Sequence, residues 1–202
     1  MTNPTVDLDA VFGGLGSAKA SLDPTYCLPG KYIARIGDAK VDKTRAGDVF
    51  FALEMTVLEV IDNAYQERTG VDGNDQPVVV TKTGHRKGDP VSHFIPNYGK
   101  GKDLFLPNIK AMLNSVLAFR GISLDDMTDE QVLNFVKTVV GPDQPLQGLV
   151  VEWHGNLREK KTSTMAQPDY FTRVAYQRTL LDPELEEKGI EIVSSAAAAP
   201  TA

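Results

Sequence analysis

The run Asp48–Val49–Phe50–Phe51–Ala52–Leu53–Glu54–Met55–Thr56–Val57–Leu58–Glu59–Val60–Ile61 carries the plainest structural signal in the chain. Val49, Phe51, Leu53, Met55 and Val57 recur with period two, which puts them on one face of an extended strand; a helix would scatter them around its axis. Phe50 falls on the opposite face. A strand this long predicts a bend, as strands of small closed barrels require. Upstream, Pro29-Gly30 is a turn signal, and Lys31 to Ile36 has strand composition. The polar stretch 42–47 between the two runs reads as a hairpin connection.

Further along, residues 62–76 show no periodicity and read as a loop. Pro77 to Thr83 and Asp89 to Ile95 read as two strands joined across Gly84-His85-Arg86-Lys87-Gly88, a hairpin with a basic tip. A second Gly- and Lys-rich loop covers 96–103. Leu104 to Phe119 has helical spacing, with Leu106, Ile109, Leu113, Val116 and Leu117 on one stripe, Asp103 as N-cap and Gly121 as stop. Thr128-Asp129-Glu130-Gln131 fits a capping box that opens a second helix. Leu149 to Leu157 and Tyr170 to Leu180 return to strand, joined by the basic tip 158–163. The fold class is therefore mainly β (α+β), with five to six antiparallel strands. An extended arm over 1–28, a domain over 29–181 with a helical insertion at 104–140, and an acidic tail over 182–202 complete the organisation.

Charge is unevenly spread. The 202 residues carry a net charge of −6, yet residues 78–120 hold seven basic and two acidic side chains, and residues 150–180 hold five and three. Net charge alone hides these basic blocks. No apolar run reaches the roughly 20 residues that cross a bilayer, so no membrane association is expected. The N-terminus lacks the basic and apolar regions of a secretory signal, and the single Cys27 cannot form an internal disulfide. A cytoplasmic protein is the expectation.

The chemical motifs argue against catalysis. Gly99-Lys100-Gly101-Lys102-Asp103 has the wrong spacing for a phosphate-binding loop, and no Gly-x-Ser-x-Gly is present. His85, His93 and His154 show no metal-ligand spacing; His85 and His93 read as surface imidazoles on the basic hairpin. No cofactor, metal or catalytic residue is expected. Binding of a nucleic-acid strand asks instead for cations along the phosphates and aromatic faces under the bases. Lys82, Arg86 and Lys87 at the hairpin tip, Lys100 and Lys102 beside Tyr98, and Arg158, Lys160 and Lys161 at the third turn supply the charge. Phe171 and Arg173 fall on the outward face of their strand, and Phe50 on the outward face of its own. The competing reading has Phe50 and Phe171 covered by the insertion or the arm, Trp153 in the core, and the basic tip merely keeping a sheet edge soluble.

The pattern Pro29-Gly30-Lys31-Tyr32-x-Ala34-Arg35-Ile36, then Lys43-Thr44-x-x-Gly47-Asp48-x-Phe50-Phe51-x-Leu53-Glu54-x-x-Val57, resembles phage-encoded single-stranded-DNA-binding replication proteins. The resemblance implies an OB-like antiparallel barrel, five-stranded and partly open, in which loops and one sheet face receive the strand. It implies non-catalytic, largely sequence-independent binding of single-stranded DNA in phage replication or recombination, in the host cytoplasm. Replication or recombination proteins are candidate partners through the acidic C-terminal segment, and a homo-oligomer is compatible with the arm. The alternative is a structural or adaptor protein of a virion or other assembly. Within the same acidic C-terminal segment, Leu185, Ile190, Ile192 and Val193 also suit a short docked element.

Overall fold

Gly30–Lys43 (β1) and Val49–Asp62 (β2) pair antiparallel, from Lys31 opposite Asp62 to Lys43 opposite Val49. The computed structural model describes residues 26–193. The expected arm, apart from residues 26–28, and the Ala-rich end beyond 193 lie outside the described residues. Phe51, Leu53, Met55 and Val57 of β2 are buried, as their period of two requires, and Val49 at the strand's start is partly covered. Three register shifts interrupt the β1–β2 ladder, near Lys31, Ile33 and Ile36. Such bulges sharpen local twist and bend a long hairpin.

The remaining elements are Ala64–Val71 (β3), Pro77–Thr83 (β4), Pro90–Pro96 (β5), the helices Phe105–Leu117 (α1) and Asp129–Val139 (α2), then Val150–Glu159 (β6), Tyr170–Thr179 (β7) and the short helix Asp182–Glu187 (α3). Five strands form one antiparallel sheet in the order β5-β2-β1-β6-β7, and β3 with β4 forms a separate two-stranded ribbon. The mainly-β class holds, with the ribbon as an addition to the five strands of the sheet.

The ribbon corrects two expectations. Residues 62–76 are not a loop, and β4 does not pair with β5 across 84–88. β4 pairs with β3, and β5 with β2. The cause lies in the turn at 72–76, where Asp72 accepts hydrogen bonds from the N–H groups of Asn74 (2.8 Å) and Gln76 (2.9 Å). A local side-chain turn of this kind closes a hairpin by itself. Burial makes the same distinction: every residue of β4 is exposed, whereas Val91 and Ile95 of β5 are buried and need a core-facing partner.

β5 and β7 lie at opposite ends of the sheet order, yet they touch. His93 Nδ1 of β5 lies 3.1 Å from the Tyr176 hydroxyl of β7, and their rings are 5.6 Å apart. The sheet thus curls until its two edges face each other across a seam that side chains cross.

α1 packs against β7 and closes the inside of the curl through Ile109, Met112, Leu113, Val116 and Leu117, all buried. Leu106 departs from the expected stripe and is 71% exposed; Phe105 takes the buried place one turn before Ile109. Asp103 does not cap α1, which grows directly out of a 3-10 turn at Gly99–Leu104. Pro107 fits within the first turn, where its missing N–H has no helical partner to lose. Gly121 stops the following turn in the left-handed region at φ 67°. α2 opens on the expected capping box: Thr128 Oγ1 accepts from Gln131 N at 3.3 Å, and Gln131 Oε1 accepts from Thr128 N at 2.9 Å.

On the other side of β1, Leu185 of α3 is buried with Ile33, Val150 and Leu180. Lys188 pairs with Glu59 at 2.9 Å, and Arg178 pairs with both Glu152 and Glu184. The acidic segment from 182 to 191 is therefore a docked element. Leu185 and Ile190 find a groove, Glu184 and Lys188 find partners, and Ile192 and Val193, expected in the same docked element, stay exposed.

Candidate functional site

Phe50, Phe94, Tyr98 and Tyr26 form one aromatic cluster on the outward side of β2 and β5. Phe50 and Phe94 lie 4.6 Å apart with their planes tilted 35°, Tyr26 meets Phe94 edge-on at 5.9 Å, and Tyr98 stands 6.3 Å from Phe94. Register explains the grouping. Phe50 is opposite Pro96 and Ala52 opposite Phe94, so the two phenylalanines are diagonal neighbours on one face, within reach of aromatic side chains. An isolated bridge between Tyr26 and Ser92 brings Tyr26 to the outer edge of β5, where it is 58% exposed. Phe50, Phe94 and Tyr98 are each partly exposed.

On β7 the alternation expected from sequence is observed, with Tyr176 buried and Phe171, Arg173 and Gln177 exposed. Phe171 is 48% exposed and lies opposite Arg158, and Arg173 lies opposite Asn156. A ring and two guanidinium-bearing residues thus share the outward face of the β6–β7 hairpin.

The expected cations separate into two groups. Lys82 pairs with Glu67 at 3.0 Å, and Lys160 with Asp169 at 2.9 Å. Arg86, Lys87, Lys102, Arg158, Lys161 and Arg173 are exposed and form no ion pair among the described residues. The side chain of Lys100 lies outside the described residues. The antiparallel register places residues 86–87 and 158–161 at the end of the sheet where β1 begins, and Tyr98 with Lys102 at the other end. The three basic turns therefore do not converge; they bracket the aromatic face from both ends.

Between the edges of β5 and β7 runs a cleft of about 360 Å³, roofed by α1. Phe94 and Phe171 stand on its two rims, with His93 and Tyr176 below. Burial pushes the His93 imidazole down to about 4 and the Tyr176 hydroxyl well above its ordinary range, so both are neutral near pH 7.

No family model matches the chain. None of the curated proteins matches it either.

Sequence reasoning missed Phe94 and Tyr26. The signal for Phe94 was present, because Val91, His93 and Ile95 alternate with Ser92, Phe94 and Pro96. Pairing β5 with the wrong strand hid that its outward residue would meet Phe50. Nothing local marks Tyr26, whose position depends on a bridge to a residue 66 places away.

The histidines correct the surface-imidazole expectation. His85 is 1% exposed and packs against Tyr32 (5.3 Å) and Trp153 (6.1 Å), where its Nε2 accepts the Leu28 N–H at 2.8 Å. Trp153, 0% exposed, belongs to the core as its stripe implied. Burial lowers the His85 pKa, against a smaller opposing pull from Asp89. Cys27 is buried beside this group and its thiol is pushed up to about 12, so it carries no thiolate near neutrality.

Two histidines that fold neutral make stability depend on pH. In the unfolded chain each takes up a proton near 6.5, while the folded chain resists it, so stability is fully present above about pH 6.5 and declines as pH falls toward 4. His93 alone accounts for a decline of up to about 3 kcal/mol. Urea midpoints at pH 7.5 and pH 5 measure it, and His93→Gln is expected to flatten the difference. Equal midpoints would contradict the buried-neutral assignment.

Proposed function

We propose that the chain is a non-catalytic single-stranded-DNA-binding protein with an OB-like, partly open barrel, of the kind that serves phage replication or recombination. The observation that carries the reading is the aromatic cluster Phe50, Phe94, Tyr98 and Tyr26 on an open sheet face, bracketed by cations that no acidic side chain neutralises. Rings in such a setting offer stacking faces that accept any base, and lysine and arginine track the phosphates regardless of sequence.

The sheet order supports the OB-like part. Counting the five sheet strands in chain order, the sheet reads 3-2-1-4-5, and side-chain contact between the third and fifth strands brings its edges together. In five-stranded Greek-key barrels of this class, the second and third strands, together with the loops joining strands one to two and four to five, receive oligonucleotides. Here those strands are β2 and β5, which hold the aromatic cluster. The loops are 44–48, with exposed Arg45, and 160–169, with exposed Lys161.

An assembly role has one observation in its favour: Val78, Val79 and Val80 of β4 are 39, 53 and 41% exposed on a ribbon whose outer edge has no partner strand among the described residues. One titration separates the readings. A fluorescent single strand longer than the roughly 4–16 nucleotides covered by one OB fold is titrated with protein at several salt concentrations, beside a matched duplex. The expected result is single-strand binding that weakens steeply with salt, with log K against log salt falling by about 0.7 for each phosphate contacted. Arg158→Ala with Arg173→Ala is expected to reduce that slope by about 1.4. No binding at low salt would overturn the proposal in favour of assembly.

A further inference from the structure

We infer that the cleft between β5 and β7 receives one base of the bound strand, turned out of the path that the aromatic face lays down. The inference rests on the single-strand reading and adds a place within it where a base is enclosed.

Three features of the cleft select a base over other ligands. The first is size: about 360 Å³ is near the lower end of small-molecule sites, suited to a single nucleoside. The second is the rims. Phe94 on β5 and Phe171 on β7 are outward aromatics of the two edge strands, and both line the cleft, so a flat ring entering it meets a π-face on one strand or the other.

The third feature is the division of charge. The floor is His93 and Tyr176, joined at 3.1 Å, a neutral pair that hydrogen-bonds a polar, uncharged ring but supplies nothing to balance a buried phosphate. The cation in the lining, Arg173, is exposed to solvent. A nucleotide therefore fits in one orientation, with its base inward and its phosphate outward at Arg173. Because Phe94 belongs both to the cleft rim and to the outward cluster, a strand stacked on Phe50 and Phe94 passes directly over the opening.

The test fills the cleft from its roof. Ala111 lies on α1, lines the cleft and is exposed, so Ala111→Phe places a ring in the opening without entering the core. Imidazole resonances of the full chain are followed by NMR as deoxyadenosine 5′-monophosphate or thymidine 5′-monophosphate is added to millimolar concentration. His93 is expected to shift, while His85, buried against Tyr32 and Trp153, and His154, beside Glu152, stay in place. In Ala111→Phe the His93 shift is expected to vanish and single-strand affinity to fall about 10-fold, with the melting temperature unchanged. A wild-type chain whose His93 does not respond overturns the inference. So does a variant that binds the strand as the wild type does; the single-strand reading then survives alone. Failure of the wild type to bind any single strand removes both.

Discussion

Phe94→Ala is expected to weaken single-strand binding by about 10- to 100-fold, the largest loss from any single side chain on the outward face. Stacking of a base on an aromatic side chain contributes about 1–3 kcal/mol by alanine substitution, and each 1.4 kcal/mol is a factor of ten. Phe94 stands at the centre of the cluster, in contact with Tyr26, Phe50 and Tyr98, so its removal also frees the three rings around it. It borders the cleft as well. Phe50→Ala and Phe171→Ala, each at the margin, are expected to cost less. Phe94→Leu serves as the control: it keeps apolar cover over β5 and removes the π-face, so a loss equal to that of alanine assigns the effect to stacking. Fluorescence anisotropy at fixed salt reads the affinities, and circular dichroism melts check that the fold is intact. Affinity for Phe94→Ala within a factor of two of wild type would remove the aromatic face from the binding site.

Gly84→Ala is expected to destabilise the fold by about 3 kcal/mol or more, far beyond what a surface glycine in a connecting segment suggests. A Cβ at residue 84 would overlap the Tyr32 hydroxyl and come within 2.6 Å of the Pro29 carbonyl oxygen. Neither can give way easily. Tyr32 is 0% exposed, and its hydroxyl donates to Pro29 O at 2.7 Å while accepting the His85 N–H at 3.1 Å. Its ring packs on Trp153 at 4.6 Å, also 0% exposed. One added methyl group would force apart a hydrogen-bonded set that ties residue 29, β1 and the 84–88 connection together, leaving buried polar groups without partners. Urea unfolding measures the effect. Gly88→Ala is the contrasting variant, because nothing lies within 4 Å of a Cβ there and its cost comes only from a φ of +91°. A Gly84→Ala loss no larger than that of Gly88→Ala would show that the junction tolerates repacking.

The same junction shows where sequence reading reached its limit. Pro29-Gly30 is legible as a turn, and Trp153 as core, from composition and alternation. That Tyr32, His85 and Trp153 meet is not legible, because the three come from positions spread over more than a hundred residues. By sequence, His85 reads as part of a basic tip because its neighbours Arg86 and Lys87 are charged. In the fold the backbone turns His85 inward and leaves those two outside.

What the sequence determined by itself is whatever depends on near neighbours. The inward face of β2, the capping box of α2, the stop at Gly121 and the outward placement of Phe171 and Arg173 all follow from periods and turns a few residues long. Tertiary structure decided which strand pairs with which. β5 chose β2 over β4 because only β2 offers a core for Val91 and Ile95, and that choice set Phe94 beside Phe50. It also decided that the sheet's edges meet through His93 and Tyr176, opening the cleft between them. Strand partnership is settled by how much apolar surface each pairing buries across the whole chain. No local window of sequence contains that sum.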